Sequence, residues 1–194
     1  MITMPVSDPN WQSLYDTAAA QAGLFTTRQA AAAGYSDPLL AHYQKVGRIA
    51  RIRRGIYRLV QFPSGDQEDL VTAWLWTDSM GVVSHQTALS LQGLSDLMPN
   101  RIHLTLPSAW QKRRLRIPKG LELHYADVPS EERAWNGAVP VTSTPRTLND
   151  CARAGLSPDV LRQATKQALT RGLVTKTELA EVEKTLKSFG GIKG

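Results

Sequence analysis

Six cations and no carboxylate lie between Pro38 and Gly65: Lys45, Arg48, Arg51, Arg53, Arg54 and Arg58. Guanidinium and ammonium groups at that density do one kind of chemistry well. They hold oxyanions, above all the evenly spaced phosphates of a nucleic acid. A solvated face of mixed charge would intersperse acids, and this stretch has none. Arg28, a little upstream, extends the same set.

Residue types that could support catalysis are present but poorly arranged. A restriction-type nuclease needs a carboxylate two residues before a lysine, to hold a metal and activate water. None of the eight lysines has Asp or Glu at that offset, and no two aspartates stand two apart as a nucleotidyltransferase requires. Cys151 with His85 or His124 could make a nucleophile and base, yet Leu148 and Ala152 around Cys151 read as the buried side of a helix. His103 and His124 lie on candidate strands and could face one another, without the nearby cysteines or carboxylates a metal cage would need. The chain is read as a non-enzyme with no cofactor and no metal.

The elements that must position the cations follow from spacing. Trp11, Leu14, Tyr15, Ala18 and Ala22 recur on one helical face that stops at Gly23. Thr26 and Gln29 have the form of a capping box opening a short alanine-rich helix. Ser36 is placed to cap a third helix, with Pro38 tolerated in its first turn. On that helix Leu39, Leu40, Tyr43 and Val46 are predicted inside, and Ala41, His42, Gln44 and Lys45 outside. Arg48 to Val60 then reads as a tight hairpin, Gly55 supplying the positive φ its turn requires. Three helices and a basic hairpin are the layout of a winged helix-turn-helix. In it a helix reads base edges while the hairpin holds phosphates or enters a minor groove. Ser36, His42, Gln44 and Lys45 are expected to face bases. Arg28, Arg48, Arg51, Arg53, Arg54 and Arg58 are expected on the backbone.

A second region starts after Phe62–Asp66. Asp66 is expected to cap a helix carrying Leu70, Trp74 and Leu75, and Ser84 another that ends at Gly93. Trp74 and Trp76 are read as core and partner surface. Ile102–Leu106 and Leu121–Tyr125 alternate with period two, as half-buried strands do. Between them Lys112, Arg113, Arg114, Arg116 and Lys119 form a second basic segment, which could extend a DNA footprint, meet an acidic partner or be plain solvated loop. Ser143 is placed to open a helix, and residues 158–171 and 177–187 read as two more. The glycine-rich end is expected to fray.

The 194 residues, 42% hydrophobic, suffice for one large or two small cores, and the net charge of +6 favours a polyanionic partner. One cysteine excludes an internal disulfide. The start, Met1 to Pro9, does not read as a signal peptide, and no apolar run approaches a membrane span. A cytoplasmic protein without membrane contact is expected.

Two stretches, residues 23–34 and residues 46–59 with the run Arg53-Arg54-Gly55-Ile56-Tyr57-Arg58, closely resemble the N-terminal winged helix of AbiEi-type antitoxins. Residues 84–94 and 141–152 look like segments shared with that family and its relatives. The resemblance implies an autorepressor that binds double-stranded DNA at its own promoter, at inverted repeats. It also implies an antitoxin of a type IV toxin–antitoxin (phage defence) system, counteracting a nucleotidyltransferase-like toxin. A stand-alone winged-helix regulator and an RNA-binding module are the alternatives. The expected fold is helix-rich α+β: a winged helix-turn-helix over 10–62, then an α+β domain over 66–188 with a short mixed sheet and terminal helices.

Overall fold

The computed structural model describes residues 8–96 and 98–192. The reading of the first seven residues as no leader lies outside them, as do the last two residues of the tail expected to fray. The rest of that tail is tied down: Phe189 closes a 3-10 turn, and the carbonyls of Phe189 and Gly191 accept from Arg162. The chain divides into two compact units, Met1–Ser79 and Met80–Gly194. Together they are a mixed α+β protein with eight α-helices and two sheets among the described residues.

In the first unit, helix α1 (Trp11–Ala19) starts where Asn10 Oδ1 accepts the Ser13 amide. Strand β1 (Leu24–Thr26) and helix α2 (Thr27–Ala32) follow, joined by the expected capping box. The Gln29 amide donates to Thr26 Oγ1 at 3.1 Å while Gln29 Oε1 accepts from the Thr26 amide at 2.8 Å. Helix α3 (Asp37–Lys45) leads into β2 (Ile49–Arg53) and β3 (Ile56–Leu59). The three strands form an antiparallel sheet in the order β1-β3-β2. Helix, strand, two helices and a two-stranded hairpin is the winged-helix order. Helix α4 (Glu68–Trp76) also belongs to this unit. It starts one residue later than expected, with Gln67 rather than Asp66 at its cap position.

The first core gathers Leu14, Ala18, Phe25, Tyr35, Leu40, Ile49 and Leu59, flanked by Trp11, Tyr15, Tyr43, Tyr57 and Phe62. One close approach fixes where the chain leaves α1. Gly23 has φ +83, and a Cβ there would lie 2.3 Å from Phe62 Cβ, so only glycine fits on both counts.

The second unit begins with β4 (Val82–Val83) and α5 (His85–Leu91), then β5 (Ile102–Leu106) and β6 (Leu121–Tyr125). A hairpin of β7 (Arg133–Asn136) and β8 (Val139–Thr142) precedes α6 (Thr144–Arg153), α7 (Pro158–Thr170) and α8 (Ala180–Leu186). The five strands run β6-β5-β4-β8-β7. The sheet is mixed: β5 with β6 and β4 with β8 are parallel, the other pairs antiparallel. The expected helix over 177–187 is instead a 3-10 turn, Lys176–Glu178, followed by the shorter α8. Leu89, Leu148, Leu161, Ala164, Leu179, Val182 and Leu186 close the helical core. No helix among the described residues is long and apolar enough to cross a membrane.

Ser36, Ser84 and Ser143 hold the cap positions expected of them, but none makes the side-chain capping bond. For Ser84 the reason is visible. Its hydroxyl accepts from Thr105 Oγ1 at 2.8 Å and lies 2.9 Å from His85 Nδ1, so it is spent on the sheet and the imidazole.

Candidate nucleic-acid interface

Helix α3 is held from one side. Leu40 is buried, and Leu39 and Tyr43 pack partly against the same core. Ala41, His42, Gln44 and Lys45 are exposed, as their spacing predicts. At about 100° per residue these four fall within an arc of roughly 160°. Val46 corrects the expectation: it is 53% exposed, because the helix ends at Lys45 and the chain turns away through Gly47 at φ +76. Asp37 was missed. It is exposed in the first turn of α3 and shares the outward arc, where it favours the helix N-terminus electrostatically. The available signal was its place as the last acid before the acid-free stretch.

The turn ahead of α3 is fixed by buried Ala33 and Tyr35 and by Gly34 at φ +86. Beneath it, Gln29 Nε2 donates to Gln21 Oε1 at 2.9 Å, and Gln21 Nε2 donates to the Thr17 carbonyl at 3.0 Å. That chain of amides locks α2 to the end of α1. Arg28 stands exposed on α2, and Ser36 is exposed at the entry to α3.

The hairpin pairs Ile49 with Leu59 and Arg51 with Tyr57, then slips so that Arg53 faces Ile56. Ile52 is thus the extra residue of a bulge, which sharpens the local twist at the tip. Gly55 takes φ +78 in the turn, and its carbonyl accepts the Thr27 amide at 2.9 Å. Arg51, Arg53 and Arg54 are exposed, and none enters an ion pair among the described residues. An exposed guanidinium without an internal acid retains all five donors for an external oxyanion.

Two of the predicted phosphate ligands are placed differently. Arg48 lies over aromatic rings, 5.5 Å from the Tyr43 centroid and 6.0 Å from that of Trp11, which themselves stack at 5.9 Å. That contact orients the fork while leaving the charge exposed. Arg58 is turned inward: Nη1 pairs with Glu68 of α4 at 2.5 Å and bonds Ser64, with the side chain 19% exposed. The structure therefore groups Arg51, Arg53 and Arg54 on the hairpin and His42, Gln44 and Lys45 on α3, and takes Arg58 into the fold.

The residues weighed for catalysis sit in the second unit. Cys151 is buried, and burial pushes its thiol up to about 12, so it is no thiolate at neutral pH. His103 Nδ1 and His124 Nε2 face one another at 3.0 Å, with ring centroids 5.3 Å apart and planes within 12°. At that distance one imidazole donates to the other, the direction being set by the tautomers. His85 stacks on His124 at 3.5 Å and adopts φ +50. Burial, then the neighbouring imidazoles, lowers the His85 pKa to about 3; burial is the first cause that lowers His103 and His124 as well. Among the described residues no group of three or more His, Cys, Asp or Glu is arranged to hold a metal. Trp74 is buried and Trp76 half-buried on α4.

Residues 12–60, the first-unit helices and hairpin, match the family described as "Transcriptional regulator, AbiEi antitoxin". The segments at 84–94 and 141–152 lie beyond that match. No curated protein matches the chain. Among solved structures it is similar to the RV2827C protein from Mycobacterium tuberculosis, at 15% identity over 99% of this chain and 83% of that one, with a TM-score of 0.43.

Proposed function

From a first unit that matches AbiEi antitoxin regulators over residues 12–60, we propose that this chain is a DNA-binding transcriptional autorepressor. We propose further that it is the antitoxin of a type IV, AbiE-like toxin–antitoxin system, counteracting a nucleotidyltransferase-like toxin in the cytoplasm. The observation that carries the DNA reading is the set of exposed, internally unpaired arginines on the hairpin, beside a helix whose outer face is His42, Gln44 and Lys45. In this reading α3 enters the major groove. Ser36, His42, Gln44 and Lys45 meet base edges, each good contact discriminating by about 1–3 kcal/mol. Arg28, Arg48, Arg51 and Arg53 hold phosphates, and Arg54 at the tip reaches a minor groove. Arg58 leaves the phosphate set, because moving it to DNA would strand Glu68 in a half-buried site.

The test is binding to the chain's own promoter, where inverted repeats are the expected operator. About five neutralised phosphates give a slope of log K against log salt of roughly −4 to −5. A salt-insensitive complex, or no retardation of upstream DNA, ends the reading. The antitoxin half is tested by sequencing the neighbouring reading frame and co-expressing the chain with any nucleotidyltransferase-like toxin encoded there; a gene that stands alone leaves only the regulator. Arg53→Ala with Arg54→Ala should abolish repression while neutralisation survives in the second region. Loss of both activities from a folded double variant would show that the two functions are not separable by region. A fragment for DNA binding alone should end at Ser79 rather than near residue 62, since α4 supplies Glu68 to Arg58 and buries Val71 and Leu75.

A further inference from the structure

The second unit spends most of its arginines on itself. Arg101 pairs with Glu122 at 2.7 Å, and Arg146 and Arg153 hold Asp150 at 2.9 and 3.0 Å. Arg133 donates to the Val128 carbonyl, Arg162 to those of Phe189 and Gly191, and Arg171 to those of Gln92 and Gly93. The other three, Arg113, Arg114 and Arg116, form none of these bonds. They lie with Lys112 and Lys119 on the strap between β5 and β6, where all five cations are exposed. From Trp110 to Gly120 the strap has no acid. Arg113 Cζ lies over the Trp110 ring, 4.1 Å from its centroid.

We propose that this strap is a nucleic-acid contact of the second unit, holding a phosphodiester backbone through Lys112, Arg113, Arg114, Arg116 and Lys119. The partition of arginines singles it out: where the fold needs a guanidinium it supplies a carboxylate or carbonyl, and here it supplies neither. A polyphosphate requires only a density of like charge. A positive patch can also meet an acidic protein face, and the salt-slope experiment separates that partner from a nucleic acid. Arg113, held over Trp110, presents its donor fork with little rotamer freedom left to lose on binding. The inference stands on the second unit alone and does not require the hairpin of the first to bind DNA.

The experiment uses the full chain with Lys112→Gln, Arg114→Gln, Arg116→Gln and Lys119→Gln combined. Binding to a short labelled duplex DNA and to a single-stranded RNA is followed by fluorescence anisotropy between roughly 50 and 200 mM salt. Removing four contacts should flatten the log K against log salt slope by about 3–4 on the duplex, or by about 3 on the single strand. Flattening on the duplex assigns the strap to DNA, and flattening on the RNA assigns it to RNA; either supports the proposal. A charge-preserving variant, Lys112→Arg, Arg114→Lys, Arg116→Lys and Lys119→Arg, should keep the parental slope. If it loses the slope too, charge is not the cause and the proposal falls. Unchanged slopes on both nucleic acids overturn it and return the strap to a protein partner or to solvent. Arg53→Ala with Arg54→Ala, measured alongside, keeps the two readings apart, since a slope that depends on the strap but not on the hairpin would sink the hairpin reading alone.

Discussion

The two units are held together by different materials. The first has an aromatic core. Phe25 and Tyr35 are fully buried, Phe25 stacks on Tyr57 at 5.8 Å, and Trp11, Tyr43 and Tyr35 meet within 6.5 Å of one another. The helical core of the second is aliphatic, built from Leu, Val and Ala with Cys151. Its polar interior is a stack of imidazoles and a carboxylate, Asp150, clasped by Arg146 and Arg153. A small unit with a three-stranded sheet gains from large rings, which bury much area per residue and keep their orientation. The same rings also seat Arg48. The second unit has more helix to fill and can use small side chains, but its polar groups tie its stability to their protonation. The contrast is between a core indifferent to acid and one whose neighbours titrate.

The largest effect should come from breaking the aromatic core. Phe25→Ala removes a fully buried ring and should cost about 3–5 kcal/mol, seen in thermal denaturation as loss of the first unit's transition while the second unit's remains. Leu148→Ala is the matching change on the other side and should cost about 2–5 kcal/mol in the second transition only. If either substitution moves both transitions equally, the units do not have separate cores.

Gly23→Ala ranks next. A positive φ costs a non-glycine residue about 1–3 kcal/mol, and the new methyl would also meet Phe62 Cβ at 2.3 Å. Because the clash is with Cβ, Phe62→Ala should not rescue it. Full rescue by Phe62→Ala in urea denaturation would contradict the close approach.

Acid should sharpen the comparison. His85 is lowered from 6.5 to about 3 by burial and then by His124 and His103, and His103 and His124 are lowered in the same direction. Below 6.5 the unfolded chain therefore binds protons that the folded chain refuses. Stability is complete above that value and is lost as pH falls beneath it. The second unit should lose urea resistance between about pH 6.5 and 5, before the carboxylates titrate. The first unit has no histidine in its core. His124→Gln should flatten the dependence, and an unaltered profile would remove the imidazole stack as its cause. The smallest effect is expected of Asp37→Asn, which removes the only acid on the outer arc of α3. Non-specific duplex affinity should rise a few-fold, in line with one fewer repulsive charge near the phosphates.

Much of this architecture was legible where the signal is local. The Thr26–Gln29 capping box, the Gly55 turn and the two alternating strands at Ile102–Leu106 and Leu121–Tyr125 all rest on a handful of adjacent residues, and each is observed where its spacing put it. Outside the hairpin around Gly55, strands of two to four residues escaped: β1, β4, β7 and β8 are too short for a period of two to show, and exist because a neighbour pairs with them. In the candidate interface, the exposure of His42, Gln44 and Lys45 could be read from helical spacing. The fate of Arg58 could not, because a count of charges does not reveal that Glu68, beyond a turn, takes one of them back. The facing of His103 and His124 could be read from their two candidate strands, but the stacking of His85 on His124 could not, since it depends on where the start of α5 meets the sheet.

The bond from the Thr27 amide to the Gly55 carbonyl makes one proton a witness. An amide at the first position of a helix ordinarily has no partner and exchanges freely with solvent. Here that amide is held at 2.9 Å by the tip of the hairpin. Its deuterium uptake therefore clocks how often the hairpin lifts from α2. A nucleic acid that clamps the tip should slow that clock, and one that pulls the tip away should quicken it, which distinguishes a docked wing from a swung one without touching any residue of the interface.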